Sequence, residues 1–476
     1  MSRTFINLLN IYSMFFLLIW GFLPNLIGQK VALSNEVTIR SNSTYDVMGE
    51  FNHRVIMLQD NGRRITLFVF DADFQAAQQY YIVPPQNSSD VYGYVPVDSS
   101  LYIYYVYPDS GYNMLALQKI SMLDFSTYNS RTLFRMKRSE TGNFRLVVSK
   151  DHSKHMIRYG KSDTDYEVAI FDTVKDSIFH TVPVVLDSPW EDGSISSQLL
   201  TSSGDYYLIA GNPKRKNNYE YTLYTIKSGI FKSTQFRTEE PLTGLKLVER
   251  GSDHLIFLTG IYLDAKQDLQ AGLFLANMDQ LTSTGLRLNK VTFQEQVLSD
   301  FYGREKQPSN GINDLVFSHI ISQKDGSQTL VYEQQREIYR SNMPGRNAYV
   351  PGAMSIDFYR ENILLVNVDN NLEVQWQKVL HKKQYSYDDD AQYSSFFMHE
   401  NPSALRLLYN DEIKRSNTIS EYIVTCTGQV SRRVLFSTDH SDLNLQIRNS
   451  TQVSAASTVI PSIRKNKLRL VKLNYN

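Results

Sequence analysis

One unit recurs along this chain: an apolar strand, a polar turn, and a second strand of alternating or aromatic character. The clearest copy is "ILLVNVDNNLEVQWQKVLHKKQ", from Ile363 to Gln384. Its apolar run stops at Asp369-Asn370-Asn371, after which Leu372, Val374 and Trp376 alternate with Glu373, Gln375 and Gln377. Similar hairpins begin at Arg54, Ser100, Phe144, Asp205, Asp253, Asn313 and Glu421, roughly 45 to 60 residues apart. Turns such as Asp60-Asn61-Gly62 and Lys324-Asp325-Gly326 supply the positive φ that tight hairpins need. This spacing is that of propeller blades among repeat proteins. The repeat is one of pattern, with neither a Gly-His…Trp-Asp signature nor a Ser-x-Asp-x-Gly-x-x-Trp box.

Eight hairpins make at least sixteen strands. An open twisted sheet rarely exceeds ~10 strands without curling or splitting, and its edges invite aggregation. Radial repetition of small sheets answers both problems. No stretch of ~15 residues carries a helical apolar stripe with caps. The 31 Tyr and 24 Phe also favour strands. The expected fold is all-β, a β-propeller of 7 or 8 blades of antiparallel sheets, or six if two hairpins share a blade. The last alternating segment, "IRKNKLRLVKLNYN", is expected to complete a blade with the N-terminal strand "VALSNEVTIR". Residues 307–311 and 341–355 read as loops, but the pattern resumes after both. Residues 29–476 are therefore expected to form a single domain.

The first 28 residues have the layout of a cleaved secretory signal peptide. Arg3 supplies the positive start, Met14 to Leu23 is uninterruptedly apolar, and Pro24 and Gly28 precede the cut. The apolar core is shorter than the ~20 residues of a spanning helix, and the rest of the chain holds no transmembrane segment. Export to the periplasm, cell surface or extracellular space is expected. Without those residues the chain has 48 basic and 49 acidic groups, since Arg3 is the one charge removed from 49 and 49. Such balance argues against a nucleic-acid partner. Cys426 is the sole cysteine, so no intramolecular disulfide forms and a large core must hold the fold. In "EYIVTCTGQV" it reads as a small buried hydrophobe sharing a strand face with Tyr422 and Val424.

Tyr349 to Phe436 resembles a group of exported Bacteroidetes proteins with propeller-like repeats and no assigned activity. The matching stretches are "VPGAM", "ENILLVNVD", "NNLEVQWQKVLHKKQ", "YSSFF" and "LLYND". They span about a fifth of the chain. The resemblance implies export and a propeller fold, and no chemistry.

Candidate chemistry is sparse. No Gly-x-Ser-x-Gly elbow, Walker A loop or His-Glu-x-x-His occurs, and no cofactor motif is present. His152 and His155 read as residues of a solvated polar turn. Lys214, Arg215 and Lys216 read as a soluble hairpin tip. Asp163 and Asp165 form a carboxylate pair whose meaning depends on distance in space. Asp388, Asp389 and Asp390 offer oxygen ligands to a hard cation, and calcium is the first candidate there, although the EF-hand spacing is missing. Six Tyr lie between Tyr92 and Tyr107. Of these, Tyr102, Tyr104, Tyr105 and Tyr107 are the candidate ligand-binding residues, because a tyrosine ring is apolar with a polar tip; packing between sheets is the competing role. The reading taken is a non-enzymatic exported propeller, a binding or scaffold protein of the cell envelope with a protein or glycan partner on one face. The alternative is a polysaccharide-processing hydrolase or lyase with acid/base residues at the propeller centre. A surface adhesin is the third.

Overall fold

The computed structural model describes residues 30–40, 42–138, 144–160, 162, 164–186, 195–212, 219–250, 254–264, 269–278, 289–303, 311–341, 354–411, 418–438 and 443–475. The leader, Asp163 and the Lys214–Lys216 tip lie outside them.

The chain forms an eight-bladed β-propeller of antiparallel sheets. The first blade is β3 (Thr44–Phe51), β4 (Arg54–Asp60), β5 (Ile65–Phe70) and β6 (Ala76–Ile82). The second is β7 (Asp90–Val97), β8 (Ser100–Asp109), β9 (Tyr112–Ser121) and β10 (Arg131–Lys137). Blades three to five repeat this four-stranded order as β11 to β14, β15 to β18 and β19 to β22, from Arg145 to Thr292. The sixth contains β23 (Leu315–Ser322), β24 (Gln328–Ser341), β25 (Met354–Val368), β26 (Val374–Leu380) and β27 (Gln384–Tyr387). The seventh is β28 (Phe397–Glu400), β29 (Ala404–Asn410), β30 (Thr418–Thr425) and β31 (Val430–Ser437).

Both ends of the chain build the eighth blade. Its inner strands are β32 (Thr451–Ser454), β33 (Ser457–Arg464) and β34 (Lys467–Asn474). β1 (Lys30–Leu33) and β2 (Val37–Thr38) then pair with β34, in the registers Lys30↔Asn474 and Val37↔Leu468. The expected closure by both ends is therefore found. The hairpins at Asn313 and Ile363 fall in one blade, and this closing blade supplies the eighth unit.

Eight apolar clusters lie between successive blades, one at each junction. Period-2 alternation explains them, because successive side chains point to opposite faces. On β4, Val55 and Met57 join the core shared with the closing blade, while Ile56 and Leu58 join the core shared with the second blade. Both faces of a blade are thus buried, which is why middle strands read as continuous apolar runs.

An α-helix stands among the described residues, and Cys426 departs from the sequence reading. A short helix, α1 (Glu295–Tyr302), buries Val297, Leu298 and Phe301 in the core between blades five and six. At eight residues it is too short to show a long apolar stripe. Cys426 is exposed, not buried. β30 ends at Thr425, so Cys426 enters the turn to β31 and leaves the face of Tyr422 and Val424.

Candidate functional site: a tyrosine–arginine platform on the sixth blade

In the sixth blade two strands outgrow their sheet. β23 pairs with β24 only as far as Leu315↔Gln334, yet β24 and β25 continue together to Ser341↔Met354. The register shifts between Glu333 and Gln335, which re-aims the extension, as β-bulges do. β27 then pairs with the outgrown part of β25, from Asp357↔Tyr387 to Arg360↔Gln384. Asp388 fastens its end, accepting from the Ile356 N–H at 2.8 Å while its own N–H donates to the Ile356 carbonyl at 3.0 Å.

The pleat sorts this three-stranded extension into two faces. Phe358, Arg360, Gln384 and Ser386 are buried on one. The other carries Arg336, Tyr359 and Tyr385 in one register row and Ile338, Asp357 and Tyr387 in the next. Tyr387 is 66% exposed, Tyr385 45% and Ile338 38%. The Tyr359 and Tyr385 ring centroids lie 5.2 Å apart, and the Arg336 guanidinium sits 4.7 Å over Tyr359, a favourable cation–π position. The Tyr385 hydroxyl donates to Asp357 Oδ1 at 2.9 Å. That hydrogen bond is the first cause raising its pKa, so the ring stays a neutral donor. Asp357 also pairs with Arg340 and is buried. The platform therefore offers apolar rings and guanidinium donors, with the Asp357 carboxylate engaged by Tyr385 and Arg340.

A buried polar network holds the platform from behind. Lys382 Nζ lies 2.6 Å from Glu333 Oε1, and the two side chains are 1% and 0% exposed. The same ammonium donates to the Arg360 carbonyl at 3.0 Å and to Gln384 Oε1 at 2.8 Å. Glu333 Oε2 accepts from Ser395 Oγ at 2.7 Å and Gln335 Nε2 at 2.8 Å. Gln384 donates onward to the Asn410 carbonyl at 2.7 Å, and Asn410 to the Leu445 carbonyl at 3.0 Å. Burial lowers the Lys382 pKa, and the Glu333 charge opposes that shift. The network is closed to solvent and positions the platform.

The candidate residues of the sequence reading are placed differently. Asp388 fastens Ile356 of β25, Asp389 Oδ1 accepts from Ser386 Oγ and the Ala391 N–H within the turn, and the Asp390 carbonyl accepts from Arg448. Burial is the first cause raising the Asp389 pKa. Among the described residues no group of three His, Cys, Asp or Glu gathers to hold a metal. Tyr102, Tyr104, Tyr105 and Tyr107 are all buried. Tyr105 packs toward the first blade, and Tyr102 and Tyr104 toward the third. Both faces of β8 are covered, so these rings serve packing and offer no open surface.

His155 is not in a solvated turn. It lies on β12 (Lys154–Gly160), fully buried, while His152 stays in the turn and donates to the Pro96 carbonyl at 2.7 Å. The Tyr104 hydroxyl is 2.5 Å from His155 Nδ1. Burial holds the imidazole neutral, with its pKa lowered from 6.5 to about 4. In that window the unfolded chain binds a proton that the folded imidazole refuses, so stability falls as pH drops from about 6.5 to about 4. At ~1.4 kcal/mol per pH unit the loss is bounded at roughly 3 kcal/mol. Urea midpoints at pH 7 and pH 4.5 are expected to separate more for the native chain than for His155→Gln. Equal separations would remove His155 as the source.

Neither a protein family nor a curated protein matches the chain. Solved structures do resemble it. A polysaccharide lyase, Uly1, is 8% identical with a TM-score of 0.39, over 94% of this chain and 100% of that one. The β-propeller domain of the Trilobed protease from Pyrococcus furiosus is 10% identical with a TM-score of 0.33, over 86% and 97%. Prolyl oligopeptidase B from Galerina marginata is 9% identical with a TM-score of 0.40, over 89% and 56%. Among the described residues no helix is long and apolar enough to cross a membrane.

Proposed function

We propose that the protein is an exported, non-enzymatic binding propeller of the cell envelope whose sixth-blade platform takes an acidic glycan. One observation carries the reading: a patch of Tyr359, Tyr385 and Tyr387 on the solvent-facing side of the extension, flanked by Arg336 and Arg340. A sugar ring presents C–H faces to an aromatic ring and hydroxyls to its polar tip, and a uronic carboxylate suits a planar guanidinium fork. Asp357 is engaged by Tyr385 and Arg340, so the platform holds no free acid/base pair. Export rests on the leader-like first 28 residues.

The test is calorimetric titration with a uronic-acid oligosaccharide. Tyr385→Ala/Tyr387→Ala is expected to weaken binding at least about tenfold, the ~1.4 kcal/mol that one lost ring contact is worth. Unchanged affinity in that variant removes the platform from the reading. Shortening of the oligosaccharide, followed by chromatography, would move the protein to the polysaccharide-processing class.

A further inference from the structure

At the junction that closes the ring, a cleft of about 700 Å³ opens between the eighth and first blades. Its walls include Arg40, Arg63, Arg64, Gln59, Thr66 and Tyr81, and among the described residues no Asp or Glu lines it. We infer that this cleft is a binding site for a compact multivalent oxyanion, and that the bound anion fastens the closing blade to the first.

The arginines come from the link that joins the two blades and from the first blade. Arg40 follows β2 of the closing blade, whereas Arg63 and Arg64 stand in the turn between β4 and β5. Their backbones are held in place. The Tyr45 hydroxyl accepts from the Arg40 N–H at 2.8 Å and donates to the Arg40 carbonyl at 2.9 Å. Asn61 Oδ1 accepts from the N–H groups of Arg63 at 3.1 Å and Arg64 at 2.8 Å. Gly62, at φ 85°, makes the bend. Arg63 pairs with Asp90 at 3.5 Å, and both side chains are largely exposed, so this pair holds Arg63 only loosely. Three arginines lining one volume suit an anion able to accept from more than one guanidinium. A ligand bound only by the closed ring stabilises it by mass action.

The experiment is titration calorimetry and thermal unfolding of the full chain with tripolyphosphate, citrate or sucrose octasulfate, against sodium chloride at equal ionic strength. The three probes separate phosphate, carboxylate and sulfate as the preferred oxyanion. Saturation by the preferred probe is expected to raise Tm by at least about 2 °C. Arg63→Gln/Arg64→Gln and, separately, Arg40→Gln are each expected to weaken it at least tenfold. Tyr385→Ala/Tyr387→Ala is expected to leave it unchanged, which separates this site from the platform. Circular dichroism checks that each variant folds, and Arg40→Gln decides alone if the double variant does not. Binding of all three probes no stronger than the chloride control, or equal in native chain and folded variants, would overturn the inference.

Discussion

Lys382→Met is expected to destabilise the propeller by about 3–5 kcal/mol, the cost of leaving a buried charge without its partner. Glu333 is wholly buried, and among the described residues Lys382 is the cation paired with it. Ser395 and Gln335 already donate to Oε2, and neither supplies charge. The change also strips Gln384 Oε1 and the Arg360 carbonyl of a donor. A second substitution, Glu333→Gln, removes the stranded charge and keeps an acceptor for Ser395. The pair Glu333→Gln/Lys382→Met is therefore expected to recover much of the loss, because a neutral replacement of a buried ion pair is often close to neutral. Equilibrium urea unfolding of the three proteins checks this. A single variant within 1 kcal/mol of the native chain, an order set by surface substitutions, would mean that solvent reaches the pair.

Removing the chain through Ile39 is expected to be more damaging. Val37 and Ile39 are buried in the core between the closing and first blades, beside Leu468 and Leu470. Their burial alone is worth roughly 3–6 kcal/mol at ~1.5–3 kcal/mol per side chain. The truncation also bares the edge of β34 along its pairing with β1 and β2, and an unpaired apolar edge is a template for association. The expected products are a lower urea midpoint and dimers or larger species by light scattering. Adding a peptide spanning Lys30 to Arg40 in trans is expected to restore the monomer. A truncated chain that stays monomeric and equally stable would show that three strands suffice for the closing blade.

The fold was legible in the sequence because its determinants are local. Alternation on each strand and turn chemistry such as Asp60-Asn61-Gly62 mark a hairpin without reference to the rest of the chain. Blade count was less legible, because the hairpins at Asn313 and Ile363 share a sheet joined across the residues between Ser341 and Met354. The tyrosines of β8 show the limit of alternation. It assigns Tyr102 and Tyr105 to opposite faces, but only tertiary structure shows that each face meets another blade. The platform was hidden for a related reason. Tyr359 and Tyr385 are 26 residues apart by their numbers and meet only because β25 overruns its blade. One local signal existed: in "YSYDDD" the alternation Tyr385, Ser386, Tyr387 marks a strand with both rings on one face, beside the aspartates that drew attention.

The pairing of Lys30 with Asn474 has a consequence in time. A ribosome delivers β1 before the blades and β34 after them, so the closing sheet lacks its second half until all the blades between have been made. Contacts of such long sequence separation also form slowly. Through that interval Val37 and Ile39 have only the first-blade side of their core and lack Val459, Leu468 and Leu470. The closed ring thus rests on pairing between segments far apart along the chain, and it cannot form before both are present.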